Sequence, residues 1–285
     1  MKIEEKPLLA VPDLSAQPKA PQPALYETDA SKYAGPHKWQ ILPAAKVVRR
    51  VWRRRAYTQW FDKACTDVEL VGRHNLNHLS LDRGAVIVAN HQSHLDTIII
   101  NETLPASLRK RVFFGAAQDR WFVRGKKKLA LKPWYQSLAL GNFPIMRGGG
   151  SGALSHASWL LERGQCVMLF PEGTRSMGEE LGQFRHGATL LALKHDVPVI
   201  PIYLGGLQSL RAKKQREVKP GPAYVEFLRP IQFAANSHVA AATATLERRL
   251  GDVHKKFSER LDSGLWQPSS ESTGNDASNA PERAA

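Results

Sequence analysis

AVIVANHQSHLDTIII, residues 85–100, decides the fold. The run Ala85 to Ala89 reads as a β-strand that passes straight into Asn90-His91-Gln92-Ser93-His94-Leu95-Asp96, and the apolar TIII then reads as a helix. In open α/β sheets, sites form beyond the carboxyl ends of strands, so a His and an Asp delivered at this point are well placed for chemistry.

Working outward, short β-rich runs alternate with helical stretches. Further strands are expected at Val68 to Val71, Val112 to Gly115, Asn142 to Met146, Cys166 to Phe170, Val197 to Leu204 and Tyr224 to Leu228. Leu95 to Leu104, Ser151 to Arg163 and Ala188 to His195 have helical composition, with Gly164 where a C-terminal cap is expected. Val239, Ala242, Leu246, Leu250, Val253, Phe257 and Leu261 recur at spacings of three and four, making one apolar helical stripe for the core that Gly264 closes. The alternation predicts an α/β domain with a mixed, largely parallel central sheet flanked by helices.

The domain is expected over residues 65–263. Residues 1–40, rich in Pro and Ala, read as a disordered arm, and the polar, low-complexity residues 264–285 as a disordered tail. Residues 41–64 carry PAAKVVRRVWRRRAYTQWFDKA, an N-terminal basic amphipathic helix in which valines, Trp52, Tyr57, Trp60 and Phe61 interleave with Lys46, Arg49, Arg50 and Arg53 to Arg55. Such a helix can lie in a membrane interface, aromatics among the headgroups and bases on anionic lipid. It can equally pack its apolar side on the domain and solvate its arginines.

The 285 residues hold 40 Lys plus Arg against 26 Asp plus Glu, a net charge of +14. Of this, +7 lies on residues 38–63 and +10 on residues 64–263, with small negative sums on the two tails. A basic chain of this kind suits nucleic acid, an anionic membrane or a phosphorylated substrate. No window approaches the roughly 18–20 apolar residues of a membrane span, and the acids and prolines of MKIEEKPLLAVPD do not make a signal peptide. Two cysteines, Cys65 and Cys166, lack both a disulfide framework and metal-ligand spacing, which fits a reducing, cytoplasmic setting.

Five residues along a regular helix would separate His91 and Asp96 by roughly 140°. They can touch only if His91 lies in the loop and Asp96 in the first helical turn. Ser93 followed three residues later by Asp96 resembles a capping box and supports that arrangement. A His held by a carboxylate has one tautomer, and its other nitrogen is free to take a proton from a hydroxyl. No covalent nucleophile is evident, since GGGSGA at 148–153 has Ala153 where a nucleophile elbow requires Gly. Asp96 as a mere helix-start residue, or His91 and His94 as metal ligands, remain open, although H-x-x-H-x-D has no companion cluster.

Two more strand ends deliver polar groups. CVMLF leads into Pro171-Glu172-Gly173-Thr174-Arg175-Ser176, where glycine, hydroxyl and guanidinium can cradle an anion. Gly141-Asn142-Phe143-Pro144-Ile145-Met146-Arg147 precedes three glycines and a helix start that can bind the same phosphate. Either cluster in isolation reads as turns and solvated arginines, and it is the three strand-end clusters in one domain that point to a site.

Together the four ordered blocks NHQSHLD (90–96), GNFPIMR (141–147), FPEGTRS (170–176) and VPVIPI (197–202) resemble the glycerolipid acyltransferase family with its H-x4-D motif, including 1-acyl-sn-glycerol-3-phosphate acyltransferases. Phe184-Arg185-His186-Gly187 is similar to the family's F-K-x-G block, with Arg for Lys. The resemblance implies transfer of a fatty acyl group from acyl-CoA or acyl carrier protein to the free hydroxyl of 1-acyl-sn-glycerol 3-phosphate in phospholipid synthesis. It makes His91 the general base, oriented by Asp96, and gives the acceptor's phosphate to Arg147, Glu172, Gly173, Thr174 and Arg175. It implies no cofactor and no metal beyond the thioester co-substrate. The expected partners are a lysophospholipid acceptor, the thioester donor and an anionic membrane surface, without nucleic acid. With apolar spanning helices absent before the H-x4-D block, peripheral attachment at the cytoplasmic face is expected. The +8 stretch from Leu108 to Lys132 is a candidate contact for headgroups, CoA phosphates or an acidic carrier. Another lyso-lipid, an acylated amino acid or a glycolipid remain alternative acceptors, and a non-catalytic membrane- or nucleic-acid-binding protein the alternative class.

Overall fold

In the computed structural model the described residues are 38–77, 79–80, 82–122, 132–146, 153–176, 180–211 and 217–266. Among these residues seven strands form one sheet: β1 (Cys65–Val71), β2 (Ala85–Ala89), β3 (Val112–Ala117), β4 (Asn142–Ile145), β5 (Cys166–Leu169), β6 (Val199–Gly205) and β7 (Gly221–Phe227). Their order is β1-β7-β6-β2-β5-β3-β4. All pairings are parallel except β6 with β7, so β6, β2, β5, β3 and β4 run in one direction and end on one edge of the sheet. Every expected strand is present, and the expected mixed, largely parallel character holds.

The helices are α1 (Pro43–Ala64), α2 (Asp96–Thr103), α3 (Ala106–Arg109), α4 (Gln118–Trp121), α5 (Pro133–Leu138), α6 (Ser155–Leu161), α7 (Gly187–His195), α8 (Leu207–Leu210) and α9 (Val239–Asp262). AVIVA is buried along its whole length because it serves two layers. Ala85, Ile87 and Ala89 join α2 residues such as Ile99 and Ile100 on one face, while Val86 and Val88 join Leu160, Leu191 and Leu246 on the other. The α9 stripe is buried from Ala242 to Phe257, while Leu261 near its end is exposed. Pro144 sits in β4, which among the described residues pairs with β3 alone, and an edge strand tolerates the missing N–H.

The expected boundaries move at both ends. Lys38–Ile41 form a 3-10 turn with Gln40 fully buried, so part of the expected arm belongs to the folded body. Trp266 packs on Phe257, ring centroids 5.0 Å apart, so the body also runs past 263. The rest of both tails lies outside the described residues.

The basic helix forms over the expected residues, but its orientation reverses the soluble-packing alternative. Ala45, Arg49, Arg53 and Tyr57, four residues apart, face the domain and are buried, whereas Leu42, Val47, Val48, Val51, Trp52 and Trp60 are exposed. Arg53 donates to Leu140 O at 2.6 Å, Val112 O at 3.2 Å and Asn101 Oδ1 at 3.3 Å. Arg49 donates to Gln40 O at 2.8 Å. The two guanidiniums lie over the rings of Phe113 and Phe114, at 4.5 and 4.9 Å. Burial pushes Arg49 down to about 9, helped by the like charge of Arg53, and burial pushes Arg53 down to about 10. These arginines fasten α1 to the sheet through carbonyl acceptors, leaving Val47, Val48, Val51, Trp52 and Trp60 outside. No helix among the described residues is long and apolar enough to cross a membrane.

Candidate active site

The turn between β2 and α2 places His91 and Asp96 in contact as the spacing requires, with His91 in the loop and Asp96 the first residue of α2. His91 Nδ1 lies 2.7 Å from an Asp96 carboxylate oxygen. That carboxylate is fully buried and also accepts the backbone N–H groups of Gln92 at 2.7 Å and Ser93 at 2.9 Å. The arrangement is half of a capping box: the acid reaches back to the Ser93 N–H, but Ser93 Oγ donates to Arg211 O instead of capping Asp96. Because a carboxylate only accepts, the imidazole proton sits on Nδ1 and the Nε2 lone pair is free to take a proton. Phe170 stacks on the ring at 3.9 Å and 17°, fixing its plane.

The loop after β5 holds the His91 backbone. Glu172 Oε1 accepts the His91 N–H at 2.7 Å, and Ser176 N–H donates to His91 O at 2.9 Å. The second Glu172 oxygen accepts the Gly182 N–H at 3.1 Å. The carboxylate expected at the acceptor's phosphate therefore faces backbone donors, and burial raises its pKa. Gly173 has φ +71, and a Cβ there would meet the Arg185 guanidinium at 2.8 Å, so the tight turn requires glycine. Gly173 and Thr174 are exposed, while Arg175 is largely buried near Asp96 and carries a guanidinium lowered first by burial, then by Arg120. Arg147 lies outside the described residues.

His94 separates cleanly from His91. Burial and then the charges of Arg175, Arg120 and Arg211 push it down to about 3, and its Nε2 faces an Arg120 nitrogen at 3.3 Å. Its polar neighbour is the Arg120 guanidinium where that of His91 is the Asp96 carboxylate, and no group of three metal-ligating side chains occurs among the described residues. VPVIPI enters β6, buried throughout, beside β2.

Three supports were not legible as such in the sequence. Asn90 locks the end of β2 to β6 by donating to Leu204 O at 2.9 Å and accepting the Leu204 N–H at 2.7 Å. Gln92 Oε1 accepts the Leu207 N–H at 3.2 Å. Arg120 enters from the end of β3, and its signal was only its place within the basic stretch 108–132.

The acyltransferase family model matches residues 67–205, which include β2, the His91–Asp96 turn and the Glu172–Ser176 loop. The chain is 33% identical over 174 residues to the 1-acyl-sn-glycerol-3-phosphate acyltransferase alpha of Mus musculus, covering 58% of this chain and 54% of that protein. It is 26% identical over 192 residues to the 1-acyl-sn-glycerol-3-phosphate acyltransferase of Salmonella typhimurium, covering 63% and 72%. This chain thus spans about half the length of the mammalian relatives it matches. In fold it is similar to the 1-acyl-sn-glycerophosphate (LPA) acyltransferase of Thermotoga maritima, with a TM-score of 0.58, 24% identity, and coverage of 75% of this chain and 79% of that one. The ordered motifs, the strand-end histidine and this match all fall on one domain, and over residues 67–205 the chain is similar to the acyltransferase family.

Proposed function

We propose that this chain is an O-acyltransferase that moves a fatty acyl group from a thioester donor, acyl-CoA or acyl carrier protein, to the free hydroxyl of 1-acyl-sn-glycerol 3-phosphate. The observation that carries the reading is the His91 to Asp96 contact at 2.7 Å, set beyond the carboxyl end of a central strand within the family's domain. His91 Nε2 takes the proton of the acceptor hydroxyl as its oxygen attacks the thioester carbonyl. The tetrahedral intermediate collapses with cleavage of the carbon–sulfur bond, and the imidazolium returns its proton to the departing thiolate. Asp96 stabilises the charged imidazole and fixes its tautomer. Arg175, with Arg147, is assigned to the acceptor's phosphate along with the Gly173 and Thr174 turn, and Glu172 acts as a positioning residue through the His91 backbone. The chemistry balances without a cofactor or a metal.

Attachment is assigned to the outer face of α1, where Val47, Val51, Trp52 and Trp60 stand beside Arg50, Arg54 and Arg55, all exposed. Trp134 on α5 extends the same character and is half exposed. Aromatic and aliphatic groups flanked by bases suit the headgroup region of an anionic membrane, reached peripherally from the cytoplasmic side. The test is a panel of lyso-lipid acceptors offered with acyl-CoA and with acyl carrier protein, scored by product mass. Phosphatidic acid from the lysophosphatidic acid arm is expected; product only from an acylated amino acid or a glycolipid would replace the acceptor, and product from none would remove the reading.

A further inference from the structure

The turn that carries His91 is held from outside by the end of β6 and by α8, a corner that begins where the family match ends, at residue 205. Asn90 exchanges two hydrogen bonds with Leu204, Gln92 Oε1 accepts the Leu207 N–H at 3.2 Å, and Ser93 Oγ donates to Arg211 O at 2.8 Å. Gln208 Nε2 donates to Ser176 Oγ at 3.1 Å. Ser176 in turn holds His91 O with its N–H at 2.9 Å and its hydroxyl at 3.3 Å. Residues 204–211 therefore grip the chain before and after His91, and reach the carbonyl of His91 itself through Ser176.

Such a grip is only as firm as its own backing. β6 turns into α8 through Gly205 and Gly206, which bring no side chains to the corner, and the backing comes from the other end of the chain. A Cβ at Gly205 would come within 2.6 Å of the Phe257 ring of α9, and one at Gly206 would run into the Trp266 indole. Gly206 has φ +77 and is the N-cap of α8, so the turn that aims α8 at Gln92 and Ser93 needs glycine both for its conformation and for the close approach of the ring. Trp266 lies beyond the end of α9 yet is only 7% exposed. Its N–H donates to Arg260 O at 3.1 Å, and its ring meets Phe257 edge-on with centroids 5.0 Å apart. The six-membered ring, the far end of the indole, is the part that reaches Gly206.

We propose that Trp266 is a positioning residue for His91: its indole backs the β6–α8 corner at Gly206, and through Gln92, Ser93 and Ser176 that corner holds the histidine where acyl transfer needs it. The proposal rests on the acyltransferase reading above for what His91 does. A displacement of about 1 Å at a reacting group costs as much as 10²-fold in rate, so a residue remote from the chemistry can act on turnover through the backbone it supports.

The test compares the full chain with Trp266→Phe, Gln92→Ala and the double variant, each assayed well below its own melting temperature. Phenylalanine keeps a ring against Phe257 but is too short to reach Gly206. For Trp266→Phe, kcat with lysophosphatidic acid is expected to fall about tenfold while KM for the acceptor changes by less than about twofold, because the base is displaced and the acceptor's contacts are not. Residues acting along one path are non-additive, so the double variant should lose little more than Gln92→Ala alone. Leu265→Ala, next in sequence but 76% exposed, should match the wild type. In proton NMR the His91 Nδ1–H resonance should broaden in Trp266→Phe as its exchange with water quickens. Gly206→Ala drives a methyl against the intact indole, should show the same kcat loss and broadening, and decides the matter if Trp266→Phe does not fold. A lower melting temperature with kcat and the Nδ1–H resonance unchanged would make Trp266 a stability residue and overturn the proposal, as would fully additive losses in the double variant. In a chain that transfers no acyl group to any acceptor the acyltransferase reading falls, and the Nδ1–H resonance alone then decides whether Trp266 positions His91.

Discussion

Asp96 and Arg53 are both buried polar groups with several hydrogen bonds, yet they are held by neighbours at very different distances along the chain. Asp96 is satisfied by His91, Gln92 and Ser93, all within five residues of it. Arg53 is satisfied by Asn101, Val112 and Leu140, which lie 48 to 87 residues away. The first arrangement is a local turn that sequence spacing can specify. The second exists only after the sheet has brought distant carbonyl groups together. The β2–α2 turn therefore holds the His91 imidazole by local contacts, while α1 turns Arg49 and Arg53 inward and leaves Val47, Val51, Trp52 and Trp60 outside.

The largest expected effect breaks the first region. His91→Ala removes the proton acceptor and is expected to lower kcat by about 10²–10⁴-fold with an unchanged melting temperature, as general-base catalysis of this kind contributes that much. Asp96→Asn, which frees the imidazole to take the other tautomer, is expected to act in the same direction. A His91→Ala protein that keeps full turnover would show that the base lies elsewhere.

The next effect breaks the second region. Arg53→Ala leaves the Leu140 and Val112 carbonyls without their donor, and each buried unsatisfied acceptor costs roughly 1–3 kcal/mol. A loss of about 3 kcal/mol is expected in denaturant unfolding, with the α1 amides losing hydrogen-exchange protection first. A loss spread evenly over the sheet, or none, would mean that the guanidinium is not what fastens the helix.

The same contrast explains what the sequence disclosed. Each of the seven strands was legible because short β-forming runs bounded by turns are local signals, and the His91–Asp96 pair because its members are five residues apart. Helix α1 was legible as a helix but not in its orientation. Hydropathy places arginine in solvent and valine in the core, and distant acceptors at Gln40, Asn101, Val112, Ser137 and Leu140, with the Phe113 and Phe114 rings, reverse that preference for Arg49 and Arg53. Glu172 illustrates the same limit at the site. Its place in FPEGTRS marked it for substrate, whereas its oxygens meet backbone N–H groups of His91, 81 residues away, and of Gly182.

A smaller effect sharpens the reading of the outward face. Val47→Ser with Val51→Ser, both exposed, should leave folding unchanged and weaken sedimentation with anionic vesicles by about tenfold, given ~0.8 kcal/mol per buried methylene. Arg50→Gln with Arg54→Gln should instead reduce the salt dependence of binding, since each base near an anionic surface contributes about 1 kcal/mol. Vesicle binding that is indifferent to the valines would place the attachment surface elsewhere.

The smallest effect lies within the His91 loop and compares its two histidines. His94 is pushed down to about 3 by burial and by Arg175, Arg120 and Arg211, against 6.5 for an ordinary imidazole. Between those values the unfolded chain binds a proton that the folded chain refuses, so the stability contributed by a neutral His94 is complete above pH 6.5 and is lost as pH falls toward 3. Glu172 acts with the opposite sign, because burial raises its pKa and the folded state gains relative stability as that carboxyl takes a proton. His94→Gln keeps an acceptor for Arg120 but removes the titration, leaving the Glu172 contribution in place. Solvent screening at this part-exposed ring reduces the full effect, so the drop in melting temperature from pH 7 to pH 4 should shrink by only about 2–4 °C in the variant. An identical acid limb in wild type and His94→Gln would mean that the imidazole is protonated without penalty, and the three arginines would then not stand close enough to hold it neutral.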